Sequence, residues 1–216
     1  MSKLKIIVGS TRPTRMADRV APWVTAAARA HSGFEVEVLD LMEWDLPLFA
    51  EHFGTLGDPA DPTYSQPLVK RWNRTIADGD AFLIITPEYN HSVPAALKNA
   101  IDTVWASNAF RNKPVAFVGY SAGIGGGIRS IEHLVQIAVE AEAVPLRSAV
   151  IVPFVNDAFG DDGLPTNPIT TAGLSLLLED LAWWSTALER ARAAGELPPA
   201  RARLRPLLAA AAGKAS

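Results

Sequence analysis

The chain of 216 residues contains no cysteine. Disulfides, thiolate nucleophiles, iron–sulfur clusters and cysteine-based zinc sites are thereby excluded, and no metal centre is expected. The absence suits a reducing compartment, so a cytoplasmic location is the expectation. Neither sign of charge is in large excess: 20 Lys and Arg stand against 23 Asp and Glu, for a formal net charge of −3. Over the whole chain that balance calls for neither nucleic acid nor a membrane as partner. No apolar run approaches the roughly 20 residues of a membrane helix. No charged segment followed by an apolar run opens the chain, so no leader is expected. What remains is ordinary globular material, 49% hydrophobic and 20% charged, of a length that suits one domain and buries enough surface without staples.

Apolar runs alternate with helical periodicity along the chain. Leu4–Val8, Phe34–Leu39, Ala81–Ile85, Pro114–Tyr120 and Val144–Val152 read as strands. The run at Ala81–Ile85 is continuously apolar, as a strand buried on both faces requires. Helical stripes lie between them: Val20, Trp23, Val24 and Ala27; Leu68 to Ala77; Leu97, Ile101, Val104 and Trp105; Ile128, Ile131, Val135 and Ala138. A final stripe runs through Leu174, Leu177, Leu178, Leu181, Trp184 and Leu188. Pro22 predicts distortion early in the first helix, where it removes a backbone donor. Five strands alternating with helices call for an α/β fold with a parallel sheet covered on both faces, and suit a flavodoxin-like three-layer sandwich. Its parallel sheet of five strands takes the order 2-1-3-4-5, with helices on both faces. Residues 1–195 form this domain, and 196–216 form a tail rich in Ala, Arg and Pro that carries no assigned chemistry. Asp45–Pro67 reads as a long loop with a functional or subunit-contact role.

Such sheets bind ligands beyond the carboxyl ends of their strands, which points to the loops after strands 1, 3 and 4. The first reads Gly9-Ser10-Thr11-Arg12-Pro13-Thr14-Arg15 ahead of a helix. Unpaired helix N–H groups, hydroxyls and two guanidiniums compose a phosphate site, although a polar turn with solvated arginines has the same composition. The second loop, Thr86 to Val93, offers Tyr89 and Asn90 as an aromatic face and an amide for a flat ring. The third, Tyr120 to Gly127, carries four glycines that let backbone N–H groups approach a ligand. Gly119-Tyr120-Ser121-Ala122-Gly123 also matches the G-x-S-x-G nucleophile elbow of hydrolases. That reading needs an acid and then a histidine after the serine, and His133 is the sole histidine beyond Ser121. A triad is therefore rejected.

On these loops the chain resembles the NADPH-dependent FMN reductases, a family that includes quinone, azo and chromate reductases. The segment Pro87-Glu88-Tyr89-Asn90-His91-Ser92-Val93-Pro94 through Asp102 carries the resemblance most specifically. The likeness spans roughly Lys3 to Val155. It implies FMN and NAD(P)H as cofactors and a small oxidised acceptor as substrate, in a homodimer or homotetramer. It places the FMN phosphate at Ser10, Thr11, Arg12 and Arg15. The flavin ring would lie along Pro87, Glu88, Tyr89 and Asn90, and its polar edge against Tyr120, Ser121, Gly123 and Gly125. The chemistry belongs to the flavin, so no protein catalytic group is expected, and Tyr89 and Asn90 act by positioning. A flavodoxin-like electron carrier and a flavin-dependent redox sensor are the competing readings.

Overall fold

The computed structural model describes residues 1–58 and 61–212. Its centre is a sheet of five parallel strands in the order β2-β1-β3-β4-β5. These are β1 (Ser2–Val8), β2 (Phe34–Asp40), β3 (Ala81–Pro87), β4 (Pro114–Tyr120) and β5 (Val144–Val152). Alternate side chains feed two separate cores. Leu4, Ile6, Val8, Leu83, Ile85, Ala116 and Val118 meet α1 (Ala17–Ala30) and α7 (Pro168–Gly195) on one face. On the other, Ile7, Phe82, Ile84, Val115 and Phe117 meet α4 (Pro67–Asp78), α5 (Ala95–Asp102) and α6 (Ile128–Glu140). Both faces of β3 and β4 are buried along their whole length, which is why their sequences read as unbroken apolar runs. α1 continues through the exposed Pro22, and its start is tightened, with Arg19 N–H bonded to Met16 O at 3.0 Å.

The stretch 45–67 is more structured than a plain loop. It follows the single turn α2 (Leu41–Trp44) and includes another, α3 (Phe53–Leu56); its residues 59 and 60 lie outside the described residues. Leu56 and Tyr64 fold back to form a small third core with Val69 and Ala106. Trp105 and Trp184 leave the stripes on which their spacing put them and are about 40% exposed. The tail forms a helix, α8 (Ala200–Ala212), with residues 213–216 outside the described residues.

Lys113, just before β4, is buried and donates to three carbonyls, Ile76 at 3.3 Å, Ala77 at 2.6 Å and Ala109 at 3.0 Å. Burial, reinforced by Arg192, lowers its pKa from 10.5 to about 8. Folded protein thus loses this proton before unfolded chain does. Between about pH 8 and 10.5 the unfolded state holds more protons, so stability is expected to rise with pH across that window and to carry the full cost of the buried charge below it. Lys5 behaves oppositely: burial opposes its charge, but bonds to Glu37 and Asp78 outweigh burial and raise its pKa, so it stays charged throughout. Lys113→Met is expected to flatten the rise, read as urea-unfolding free energy measured across the window.

Candidate functional site

The carboxyl ends of β1, β3, β4 and β5 open onto a cavity of about 330 Å3. Strand order puts them side by side, and a parallel sheet turns all these loops to one edge. Ser10 follows β1 and is fully buried, with its Oγ 2.9 Å from Tyr89 Oη. Arg12 lies exposed at the mouth, its guanidinium carbon 5.4 Å from the centre of the Tyr89 ring. Tyr120, at the end of β4, is buried, and its hydroxyl makes no hydrogen bond of normal geometry among the described residues. Burial, with Tyr89 beside it, pushes that phenol's pKa well above its usual value, so it stays a neutral phenol behind the cavity wall. Met16, Pro87, Ala122 and Val155 add apolar wall.

Arg15 faces a different set of groups. Its Nη1 reaches Asp40 at 2.7 Å and also Ser10 O, its Nη2 pairs with the second Asp40 oxygen, and its Nε bonds Asp18 at 2.9 Å. Four of its five N–H donors are spent within the protein. Asp40, then Asp18, raise its pKa further. Asp40 also accepts from Met42 N–H at 2.9 Å, so one carboxylate joins the loop after β1 to the end of β2 and the start of α2.

Glu88 is committed too. Its side chain is 7% exposed, 2.7 Å from Arg129 Nη2 and 3.3 Å from the Arg129 backbone N–H in the first turn of α6. A carboxylate there satisfies a helix-end donor and meets the positive end of the helix dipole. Tyr89 and Ser92 exchange backbone bonds of 2.9 and 3.0 Å around Asn90 and His91, both at positive φ. Two consecutive positive φ values define the tight primed turn, which asparagine tolerates better than most residues. Asn90 is at the exposed tip of this turn.

Ser121 donates to Gly123 O at 3.1 Å, while His133 Nδ1 lies 2.8 Å from Ser92 Oγ instead. The elbow-like motif therefore assembles no triad. Its glycines serve the backbone first: Gly126 and Gly127 hold φ of 58° and 90° where the loop crosses Pro153 and the end of β4.

A family model described as NADPH-dependent FMN reductase matches residues 2–157. The chain belongs to that family. It is an oxidoreductase whose family works with FMN and NAD(P)H. It is 31% identical over 156 residues to an NAD(P)H-dependent FMN reductase of Schizosaccharomyces pombe, covering 70% of this chain and 74% of the relative. An NADPH:quinone oxidoreductase of Arabidopsis thaliana is 40% identical over 110 residues, half of each chain. Among solved structures, the flavoenzyme FerB of Paracoccus denitrificans superposes with a TM-score of 0.68 at 24% identity, over 87% of this chain and 98% of that one, a likeness of fold.

The cavity of this FMN reductase fits the group its family uses. The hydroxyl-bearing Ser10, Tyr89 and Tyr120 in its wall, together with Arg12, which has no carboxylate partner among the described residues, are a donor set suited to an anionic, oxygen-rich ligand. Of the residues expected from sequence, Ser10, Arg12, Arg15, Pro87, Glu88, Tyr89, Tyr120 and Ser121 line the cavity; Thr11, Asn90, Gly123 and Gly125 do not. Val155 and Asn156 were missed, though Val152 N–H to Gly126 O and Val155 N–H to Ser121 O tie their loop to the glycine loop. The signal was available: the order 2-1-3-4-5 puts the end of β5 beside that of β4, so the loop after β5 reaches the same edge.

Proposed function

We propose that the cavity holds FMN with its phosphate against residues 10–15, and that the protein passes reducing equivalents from NAD(P)H to a small organic acceptor of the quinone kind. The observation that carries this reading is a cavity at the carboxyl edge of the sheet, lined by Ser10, Tyr89 and Tyr120, whose mouth presents Arg12. Bound FMN supplies the redox chemistry by accepting hydride from NAD(P)H and returning it to the acceptor. Arg12 supplies the charge for the phosphate. Arg15, held by Asp40 and Asp18, is a positioning residue that shapes the loop. Ser10, Tyr89 and Tyr120 donate hydrogen bonds to the ligand, Glu88 and Arg129 keep the second and third loops in register, and Met16, Pro87 and Val155 exclude water from the ring. The turn at Asn90 presents Tyr89. A homodimer or homotetramer in the cytoplasm completes the proposal, and the quinone class rests on relatives of that name.

The test is FMN titration of apoprotein, followed by addition of NADPH and then a benzoquinone. FMN is expected to bind, to bleach within turnover times on NADPH, and to recover colour on addition of the quinone; a flavin that binds and stays oxidised would replace this reading by an electron carrier. Arg12→Ala is expected to weaken FMN about tenfold or more, with the deficit shrinking at high salt. Tyr120→Phe is expected to weaken FMN by roughly two- to tenfold while leaving the apoprotein as stable or slightly more so, since it removes a buried donor that lacks a partner.

A further inference from the structure

We propose that α8 lays its leucine face on an anionic lipid surface and tethers the enzyme there. The family match ends at residue 157, so this helix is an addition beyond the matched region. The sequence around it is one-sided: four of the chain's 20 cations, three of them in α8, and none of its 23 acids lie beyond Glu196, leaving 16 cations against 23 acids in the rest. A net charge taken over the whole chain conceals that segregation.

The helix sorts these residues by face. Leu204, Leu207 and Leu208 stand at i, i+3 and i+4 and share one side, where they are 52%, 67% and 60% exposed. Arg203 and Arg205 fall about 100° to either side of Leu204, so cations flank the leucines on both margins, while Arg201, about 60° from Leu204 at the start of the helix, is bonded to the protein body. Arg203 Nε bonds a backbone carbonyl, Pro198 O, at 3.1 Å rather than an acid. Leucines on one face with guanidiniums at its margins are what an interfacial helix presents: leucines enter the acyl boundary, and arginines extend to phosphate headgroups. A helix this short, with three leucines, does not span a bilayer, and no described helix is long and apolar enough to do so.

The helix is also anchored so that it can bear a tether. Arg201 donates to Ala106 O at 2.8 Å, Ala200 N–H bonds Glu142 at 2.9 Å, and Glu196 pairs with Arg111 at 3.3 Å. Ala106 and Glu142 precede β4 and β5, on the edge of the sheet opposite the cavity. Lipid at α8 therefore leaves the cavity open to water. A second copy is the weaker occupant. Packing two such faces together brings arginine margins against each other, and three leucines fall far short of the roughly 800 Å2 per partner of a stable interface.

The test is co-sedimentation of full-length, FMN-loaded protein with phosphatidylcholine vesicles that do or do not contain phosphatidylglycerol. Binding is expected to the anionic vesicles alone and to fall at high salt. R203A/R205A is expected to reduce it about thirtyfold, from roughly 1 kcal/mol per surface cation, and L204S/L207S/L208S to abolish it. Neither variant alters NADPH oxidation with a water-soluble quinone. Failure to bind anionic vesicles, equal binding to neutral ones, or binding unaffected by both variants overturns the proposal. So does concentration-dependent self-association that only the leucine variant abolishes, or binding to soluble polyglutamate in place of vesicles. NADPH oxidation is read separately, so a failure here leaves the redox assignment untouched.

Discussion

Gly127→Ala is expected to destabilise the protein by about 3 kcal/mol or more and to abolish FMN binding at ordinary concentrations. Two penalties combine. Gly127 has φ of 90°, outside the range that L residues readily adopt. A Cβ there would also lie 2.4 Å from Tyr120 N and 2.7 Å from Gly119 C, both backbone atoms of the buried strand β4. Flexible side chains yield to such a contact, whereas a central strand paired on both sides does not. Overpacking alone costs about 1–3 kcal/mol, and the strained backbone adds to it. The end of β4 would have to shift, and with it the Tyr120 hydroxyl. Gly123→Ala is the control: a Cβ there meets nothing within 4 Å, and stability is expected to change by less than about 0.5 kcal/mol. Thermal unfolding and FMN titration of the two variants check both statements; equal stability would remove the steric argument.

Asp40→Ala is expected to cost about 3 kcal/mol and to weaken FMN, although it removes a negative charge near the phosphate loop. Arg15 is 8% exposed in its side chain and Asp40 18%, so deletion strands a largely buried guanidinium. Breaking such a pair from one side costs about 3–5 kcal/mol, and the remaining bonds to Asp18 and Ser10 O hold the loss toward the lower end. The cap on Met42 N–H is lost as well. Asp40→Asn, which retains an acceptor for that cap, should fall between. The sign of the FMN effect is decisive. A bracing Arg15 predicts weaker binding in both variants, because the loop loses its fixed shape. An Arg15 that binds phosphate directly would be released by the same substitutions and bind FMN more tightly. Urea unfolding and FMN titration separate the two.

Much of this was accessible from local pattern. β3 and β4 are uniformly apolar because both faces are covered, and Val144–Val152 was bounded correctly by its own residues. Alternation of strand and helix restricts the connections to right-handed crossovers and so to a parallel sheet, whose carboxyl edge locates the cavity, while the order 2-1-3-4-5 rests on likeness to flavodoxin-type folds. The loops at Ser10, Tyr89 and Tyr120 were found because glycine, proline and hydroxyl residues interrupt otherwise apolar runs. What local pattern could not reveal is which partner a charged group would take. Arg15 and Arg12 are three residues apart and equally basic, yet one is held by Asp40, 25 residues away, and the other is left without a carboxylate among the described residues. Glu88 likewise meets Arg129 across 41 residues.

The apolar stripes show the same boundary. Leu177 and Leu181 are buried, while Trp184, expected on the same stripe of α7, is 40% exposed because the buried face continues through its neighbour Ser185. Hydrophobic spacing and backbone preference act between near neighbours, so elements, topology and the ligand-binding edge could be derived from the order of residues. Charge pairing, burial at an element's end and the crossing at Gly127 depend on distances between segments far apart in the chain, and those distances exist only once the sheet has formed.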